Sequence, residues 1–593
     1  MAAAVLTWLV AMPLLSQLPR YVNLNPFTGR GATFPVAVAL VLATVLLGVA
    51  LVVVGRPRLE GPFAGVCAGL LAAWVALTLR AALYGTPFGY VGLGKDMARM
   101  SAMANRYSTT IQSADPWIPN LPAEYPPLYP WLIGRAAALL DLPAWRLVGK
   151  AEVVTMSAAV LVAFVLWQRL VGVWPALVIP ALSMLTWGQP DKAFEIISLL
   201  VFTPWVLDVL AHPPRRRLHW LVSGVIGGLI VLTYQGWLIF AALGIAAMIV
   251  SGWRAAPDRR AYVRHLLAVM AVAAVVASWF VVPYVVTALR SGTQVVADLY
   301  QPPEGLLADL FPFLAPTPLA LFQLVGLVGL VALRRSTWWA QPILLLVASA
   351  VVFRVVFTMR YVLTGHTTAI QYTPRMYGVL LTAAGVLTAA VWLPAVLTRL
   401  GATTGRRVLA AAVAIALGWA AFGLAQVWMP RGGATPNDAA RAHLEPLPGG
   451  GYPRYAPADA RTWWFPSGPV IRAVERAIGP VGDRVTLSTN ERLYSYAAWS
   501  GYMGRGSGSA NSLARWHDRR AEIVRLAGIG NADALADAAG RTRFGPIDVL
   551  ILYRQPDGWY FSDIRFAPEQ FRSPRWSVID LPQRVVAVIR RPP

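Results

Sequence analysis

Residues 90–131 read YVGLGKDMARMSAMANRYSTTIQSADPWIPNLPAEYPPLYPW, a polar stretch set between two long apolar runs at 63–84 and 148–170. Lys95, Asp96, Arg99, Arg106, Asp115 and Glu124 are interleaved there with Met, Tyr and Trp, and Pro126 and Pro127 stiffen its end. Binding and catalytic residues concentrate on loops held by a rigid scaffold. Such a loop is where chemistry can happen in a chain that is otherwise mostly apolar helix.

The apolar runs recur along the chain. Of 593 residues, 57% are hydrophobic and 13% charged. Soluble domains carry about 25% charged residues, so this is the composition of a polytopic membrane protein. A span needs about 20 apolar residues, fewer inside a bundle. Candidates lie at 1–18, 33–54, 63–84, 148–170, 173–188, 193–211, 218–233, 237–252, 266–288, 309–333, 339–359, 376–397 and 408–428, thirteen in all. The break at Tyr234, Gln235 and Gly236 is read as a hairpin turn, and GQPDK (188–192) as another. The first segment has no basic n-region and no clear cleavage site, and reads as a span rather than a signal peptide.

Lys plus Arg exceed Asp plus Glu, 51 against 28, giving a formal charge of +23. With the first residue cytoplasmic, short loops at 55–62, 170–173, 212–218, 253–265, 334–338 and 398–407, nearly all of them rich in Arg, fall on one side, as the positive-inside rule requires. Much of the excess therefore orients the bundle and does not advertise nucleic acid. An odd number of spans puts everything after Ala425 outside. The domain plan is a membrane domain at 1–428, whose outer loop 85–147 carries the chemistry, and a C-terminal extracytoplasmic domain at 429–593.

The outer face collects 85–147, 188–192, Tyr234–Gly236, 289–308 and 360–375, which hold acidic, aromatic, amide and His residues. Segment 127–141 is too short and polar to span and reads as an interfacial amphipathic helix. Beyond 428 the chain turns rich in Pro, Gly and aromatics. The runs RVTLST (484–489), IDVLILY (547–553) and VVAVIR (585–590), with a helical stretch near 511–540, predict a small α/β domain. Its aromatics Tyr452, Tyr455, Trp463, Trp464, Tyr502 and Trp516 suit either a sugar-binding surface or an anchor at the membrane interface.

Asp96 is the leading candidate for a base. Lys95 and Arg99 beside it favour the charged carboxylate, and an ionised carboxylate next to a sugar hydroxyl can take its proton during attack on an anomeric carbon. A solvated acid paired with Arg99 is the plainer reading. Asp115, in SADPW, reads first as a turn opener; Glu124 reads as a second acid or as a brace for the loop before Tyr125. Lys192, Arg360, His366 and Arg375 lie at outer ends or in outer loops, and cations are what a departing phosphate needs. Lipid headgroup contacts are their alternative. The six His show no metal-ligand spacing, and Cys67 stands alone, so neither a metal centre nor an internal disulfide is expected. No phosphate-binding glycine loop is present. No cytoplasmic loop is long enough for a nucleotide domain, so an activated donor used outside should be lipid-linked.

GKDMARM with Asp96, followed by Tyr125-Pro126-Pro127-Leu128 and an interfacial helix, resembles the GT-C class of polyprenyl-phosphate-sugar glycosyltransferases. GKDMARMSAMANRYSTT, ADPWIPNLPAEYPPLYPW, PDKAFE (190–195) and FGPIDVLILYR in the tail are similar, more closely, to the actinobacterial galactan 5-O-arabinofuranosyltransferase family. The resemblance implies a GT-C bundle, decaprenyl-phosphate-arabinofuranose as donor, lipid-linked galactan as acceptor, and an inverting single displacement at the outer face of the plasma membrane without a cofactor. It implies Asp96 as base. The cations named above, and Arg99, Asp115, Glu124, Tyr125, Tyr234 and Gln235 as acceptor-binding or loop-shaping residues, rest on topology alone. Another polyprenyl-phosphate-sugar transferase, a lipid-linked sugar transporter and a polysaccharide-binding scaffold remain the alternatives.

Overall fold

Long runs without charge fold as helices because lipid leaves their backbone groups no other partner. The computed structural model describes residues 1–593 apart from 54–55, 212–216, 297–310, 368–371, 398–401, 434, 462–463, 483 and 592–593. Parts of the loops expected at 55–62, 212–218, 289–308, 360–375 and 398–407, the first residues of the 309–333 span, and Trp463 lie outside the described residues.

Each of the thirteen expected spans coincides with a helix, but they are not equivalent. Among the described residues, nine helices are long and apolar enough to cross a membrane: Ala2–Tyr21, Gly29–Ala50, Arg58–Ala82, Trp145–Val171, Ala193–Leu210, Arg259–Ser291, Ala340–Thr364, Tyr372–Pro394 and Val408–Trp428. The other four, Val173–Trp187, Trp220–Tyr234, Ala242–Ala255 and Pro318–Ala332, are shorter. A helix of 15 residues such as Val173–Trp187 reaches roughly 22 Å, less than the roughly 30 Å of a bilayer core. The count of thirteen spans is therefore not confirmed. The multi-pass character is plain.

The chain divides into two units. The first comprises Met1–Tyr84, Glu152–Ala277 and Leu299–Arg431 and is helical. Its helices approach closely at small residues, as membrane helices do. A Cβ at Gly69 would stand 2.7 Å from the Ala4 carbonyl oxygen, and one at Gly244 2.7 Å from that of Leu345. Trp8 reaches Ser157 at 2.7 Å, and Ser157 donates to the Ala72 carbonyl.

The second unit gathers Gly85–Ala151, Ser278–Asp298 and Gly432–Pro593. It is built on a seven-stranded mixed sheet: β1 (Val485–Ser488), β2 (Ser500–Gly501), β3 (Val549–Gln555), β4 (Gly558–Phe561), β5 (Ile564–Phe566), β6 (Trp576–Leu581) and β7 (Val585–Arg590). β1 runs parallel to β2 and β3, and β7 is antiparallel to β3 and β6. The period-2 alternation of a strand sends Leu550, Leu552, Val586 and Val588 to one face, where they pack with Ile523, Leu526 and Leu535 from helices Trp516–Ala527 and Ala532–Gly540. Val549, Ile551, Ala587 and Ile589 go to the other, against Val470 and Val474 of helix Ser467–Ile478. That face also takes Ala102, Trp117 and Ile118 from the polar stretch read first. With both faces covered, β3 and β7 read as nearly continuous apolar runs. The α/β domain expected in the tail is present, and 85–151 belongs to its core.

Candidate active site

In the second unit, Asp96 does not sit at the end of a span, as expected from sequence. The preceding helix ends at Ala82, and Gly85–Asp96 forms turns that lead into a separate helix, Met97–Thr109, with Asp96 as its N-cap residue. The Asp96 carbonyl accepts from the Met100 amide at 2.9 Å, so the helix starts there. Met97, Met100, Ala104 and Tyr107 recur at helical spacing and are buried. The polar loop is thus an amphipathic helix packed on protein. Asp96 is half-buried.

The turns that present Asp96 are fastened by acids from later in the chain. Lys95, whose φ of 50° lies in the left-handed region, donates to Asp438 at 2.6 Å, and Arg441 holds the other oxygen of Asp438 at 3.0 Å. A non-glycine residue held there stores about 1 kcal/mol or more of strain and persists when its surroundings fix it. Glu445 accepts from the Leu93 amide at 3.2 Å and pairs with Arg492 at 3.3 Å. Burial raises the Glu445 carboxyl above its ordinary range, against the lowering effect of Arg492. Gly92 runs at φ 69°, and a Cβ there would stand 2.9 Å from the Glu445 side chain, so the chain passes that acid as only glycine can.

Arg99 lies over the Tyr125 ring at 5.2 Å, and its field reaches Glu491, whose carboxyl is raised chiefly by burial. Asp115 is 2% exposed. It accepts from the Trp117 and Ile118 amides at 2.9 and 2.8 Å and from Asn511 at 3.1 Å. Burial raises this carboxyl too, opposed by those bonds. Asp115 is therefore the turn opener that Asp-Pro suggests. Glu124 accepts from the Ser512 amide at 2.6 Å and from the Tyr284 hydroxyl at 3.3 Å. Both acids fix the loop.

In the first unit, Lys192 is the N-cap residue of Ala193–Leu210, and Glu195 stands in its first turn, where the helix dipole favours a carboxylate. Tyr372 and Arg375 occupy the first turn of Tyr372–Leu397, three residues apart and so on one side. Lys192 donates to the Tyr372 hydroxyl at 2.6 Å and lies 3.3 Å from Glu195, which is fully buried. Arg375 approaches the second oxygen of Glu195 at 3.7 Å and stacks over Trp187 at 4.8 Å. Tyr234 packs on Tyr372 at 5.7 Å and on Trp237 at 5.0 Å, and the Trp237 ring nitrogen donates to the Glu195 carbonyl at 3.1 Å. Gln235, next in the chain, has a buried side-chain oxygen without a hydrogen-bond partner. Two cations, two helix N-termini and an aromatic wall thus converge on Glu195. Helix N-termini with backbone amides and cations make natural sites for anions.

Of the four cations expected together, Lys192 and Arg375 meet here. Arg360 is half-buried near the end of Ala340–Thr364, and His366 is exposed on the turn beyond it. Sequence reading missed Tyr372 and Trp187 as organisers; the Tyr372–Arg375 spacing was their signal. It also missed Arg354 and Glu152, 2% and 0% exposed inside apolar helices. Among the described residues no group of three His, Cys, Asp or Glu is arranged to hold a metal ion.

Residues 1–421 match the family model described as "Arabinofuranosyltransferase N terminal". The chain belongs to this arabinofuranosyltransferase family. It is accordingly an enzyme, a glycosyltransferase. Galactan 5-O-arabinofuranosyltransferase of Mycobacterium tuberculosis is 28% identical over 502 residues, 82% of this chain and 75% of the relative. That of Mycolicibacterium smegmatis is 28% identical over 502 residues, covering 81% and 77%, and that of Mycobacterium leprae 24% over 556 residues, covering 87% and 84%. Among solved structures, ArnT from Cupriavidus metallidurans bound to undecaprenyl phosphate matches with a TM-score of 0.49 at 15% identity, over 88% of this chain and 97% of that one. The arabinofuranosyltransferase family match covers most of the helical unit and the Asp96 loop.

Proposed function

We propose that the enzyme is a GT-C type transferase that moves arabinofuranose from decaprenyl-phosphate-arabinofuranose to lipid-linked galactan, in arabinogalactan synthesis, at the outer face of the plasma membrane. The observation that carries the donor assignment is the convergence of Lys192 and Arg375 at two helix N-termini, on the wall formed by Tyr372 and Trp187. A phosphate that acquires charge as its glycosyl bond breaks is stabilised by that set, with Arg360 and His366 assigned to the same role further along the outer end.

Chemically the step is a single displacement. The bond between the anomeric carbon and the phosphate oxygen breaks, the acceptor hydroxyl oxygen bonds to that carbon from the opposite face, and its proton passes to Asp96. Polyprenyl phosphate leaves. Configuration inverts, no cofactor is consumed, and the lipid tail stays in the bilayer. Arg99 and Tyr125, joined by their cation–π contact, and Tyr234 and Gln235 are assigned to acceptor binding or loop shaping.

The outward orientation is supported by the basic loops at 253–265 and 334–338, which the positive-inside rule puts in the cytoplasm. The domain boundary near 428 marks where the last span gives way to the sheet domain. Transfer of radiolabel from a synthetic polyprenyl-phosphate-arabinose to a galactan oligomer by the purified chain tests the reading. Label appearing in the oligomer is the expected result; release of free arabinose alone, or movement of the intact lipid-linked sugar across a bilayer, would replace it.

A further inference from the structure

The helix that starts at Lys192 ends 18 residues later at Leu210, roughly 27 Å away at 1.5 Å per residue. At that far end of the first unit lies a cavity of about 500 Å³ between Leu210, the end of Ala242–Ala255, the turn Arg334–Trp338 and the start of Ala340–Thr364. Its rim carries Arg334 and Arg335, both exposed, with Ser251, Trp338 and Gln341. Among the described residues, none that lines it is Asp or Glu. The turn bearing the two arginines is pinned, because Ser336 and Thr337 return their amides and hydroxyls to the Leu333 carbonyl.

A second space of about 770 Å³ opens from the first, sharing Ser251, Ala255, Gln341 and Leu345. Its character is different. Ala246, Ala247 and Val250 line it, together with the exposed Arg254. A cationic cup with amide and hydroxyl groups therefore continues into an apolar groove along the helix surface. Both volumes fall within the range of ligand sites, about 300–1,000 Å³.

We propose that this is a binding site for an anionic glycerophospholipid, its phosphodiester headgroup held by Arg334, Arg335 and Arg254 and one acyl chain lying in the groove past Ala246 and Val250. Charge complementarity selects the headgroup, since three arginines face the cavities without a lining carboxylate, and basic pockets between helices on the cytoplasmic side recognise such lipids. The adjoining apolar groove selects a lipid over a soluble phosphate. Trp338 at the rim fits the headgroup level, where Trp rings settle. The site is separate from the candidate active site, and its occupant is a structural or regulatory lipid rather than the sugar donor.

The test is native mass spectrometry and thermal unfolding of the full chain in nanodiscs of phosphatidylcholine with and without phosphatidylglycerol. The wild type retains phosphatidylglycerol in preference to phosphatidylcholine, and its unfolding midpoint rises with it; inorganic phosphate or glycerol phosphate alone gives no rise. The double variant Arg334→Gln, Arg335→Gln binds phosphatidylglycerol about 30-fold more weakly, with an unchanged midpoint in phosphatidylcholine. Ala246→Trp, which fills the groove and leaves the arginines intact, weakens retention of the long-chain lipid but not of a dihexanoyl analogue. Equal retention of both lipids by the wild type, or undiminished preference in the double variant, overturns the proposal. Full protection by inorganic phosphate overturns its lipid part, as does an Ala246→Trp variant that retains long-chain lipid normally.

Discussion

Lys95 and Asp438, 343 positions apart in sequence, form an ion pair of 2.6 Å that holds the turn immediately before Asp96. Lys95 is partly exposed while Asp438 is nearly buried, at 41% and 6% of their side-chain surfaces. The acid is the anchor and the lysine the tether. Asp438→Ala is expected to free the Lys95 backbone from its left-handed conformation and misplace Asp96, lowering kcat about tenfold or more with the donor KM little changed. Steady-state transfer assays at varied donor concentration read this directly; an unchanged kcat means the turn is held by other contacts.

Asp96→Asn keeps the shape of the N-cap residue and removes the carboxylate proposed as the base. Transfer should fall about 10²–10⁴-fold, while donor binding and the unfolding midpoint stay near wild type. The rival acids are already committed to amides, Asp115 to those of Trp117 and Ile118 and Glu124 to that of Ser512. Normal turnover by Asp96→Asn would nonetheless return the base to one of them.

Arg375→Ala removes a charged partner of Glu195 and the cation over Trp187. Loss of one charge-assisted contact to a phosphate is worth about 1.5–3 kcal/mol, so the donor KM should rise at least tenfold with the acceptor KM unaffected. Equal effects on both substrates would argue against a phosphate role.

Burial raises the carboxyls of Asp115, Glu445 and Glu491 in the second unit. A carboxyl whose folded pKa lies above its unfolded value binds protons more tightly when folded. Its contribution is complete below the ordinary carboxylate range and is lost as pH rises through the elevated folded value. The ion-paired carboxyls of Asp518 and Asp563, which are lowered, act with the opposite sign, so the difference between variants is the informative curve. Glu491→Gln keeps an acceptor for the Arg505 amide, now held at 2.7 Å. Its unfolding midpoint should gain on that of the wild type as pH is raised from 4 toward neutrality. A constant difference across that range would show that Glu491 titrates alike in both states.

Asp115→Ala leaves the Trp117 and Ile118 amides without their acceptor in a buried place and takes one of two acceptors from the Asn511 side chain, which keeps the Pro122 carbonyl. Each unmet buried group costs about 1–3 kcal/mol, and partial relaxation should bring the total to about 3 kcal/mol. Denaturant unfolding followed by tryptophan fluorescence measures it, because Trp117 sits in that core. A loss below about 1 kcal/mol would mean that water or a shifted loop takes over the bonds.

The helices were legible because hydropathy is a property of composition over a window, and lipid enforces it. Length was less so: the 173–188 run is cut by Gly172 and Gly188, both at positive φ, and its helix falls short of a span. In the sheet domain, β1, β3 and β7 were visible as apolar runs, whereas β4 and β5 have only 4 and 3 residues and carry no periodic signal. Asp96 could be singled out by its neighbours, but its clamp could not, since Asp438 and Glu445 are ordinary acids until the fold brings them to Lys95 and Leu93. Arg375 was named as a cation; that it shares Glu195 with Lys192 is a fact of helix packing which spacing within either segment does not encode.

The sheet unit is assembled from three stretches interrupted by most of the helical bundle. A ribosome releases Lys95 long before Asp438, and at about 5–20 residues per second the intervening chain takes tens of seconds or more to make. During that interval the nascent chain carries Asp96, the proposed base, on an unlatched turn, with Trp117 still lacking the strands that will bury it. With Asp96 as the base, catalytic competence is one of the last properties the polypeptide acquires, after the chain of the helical bundle has been made.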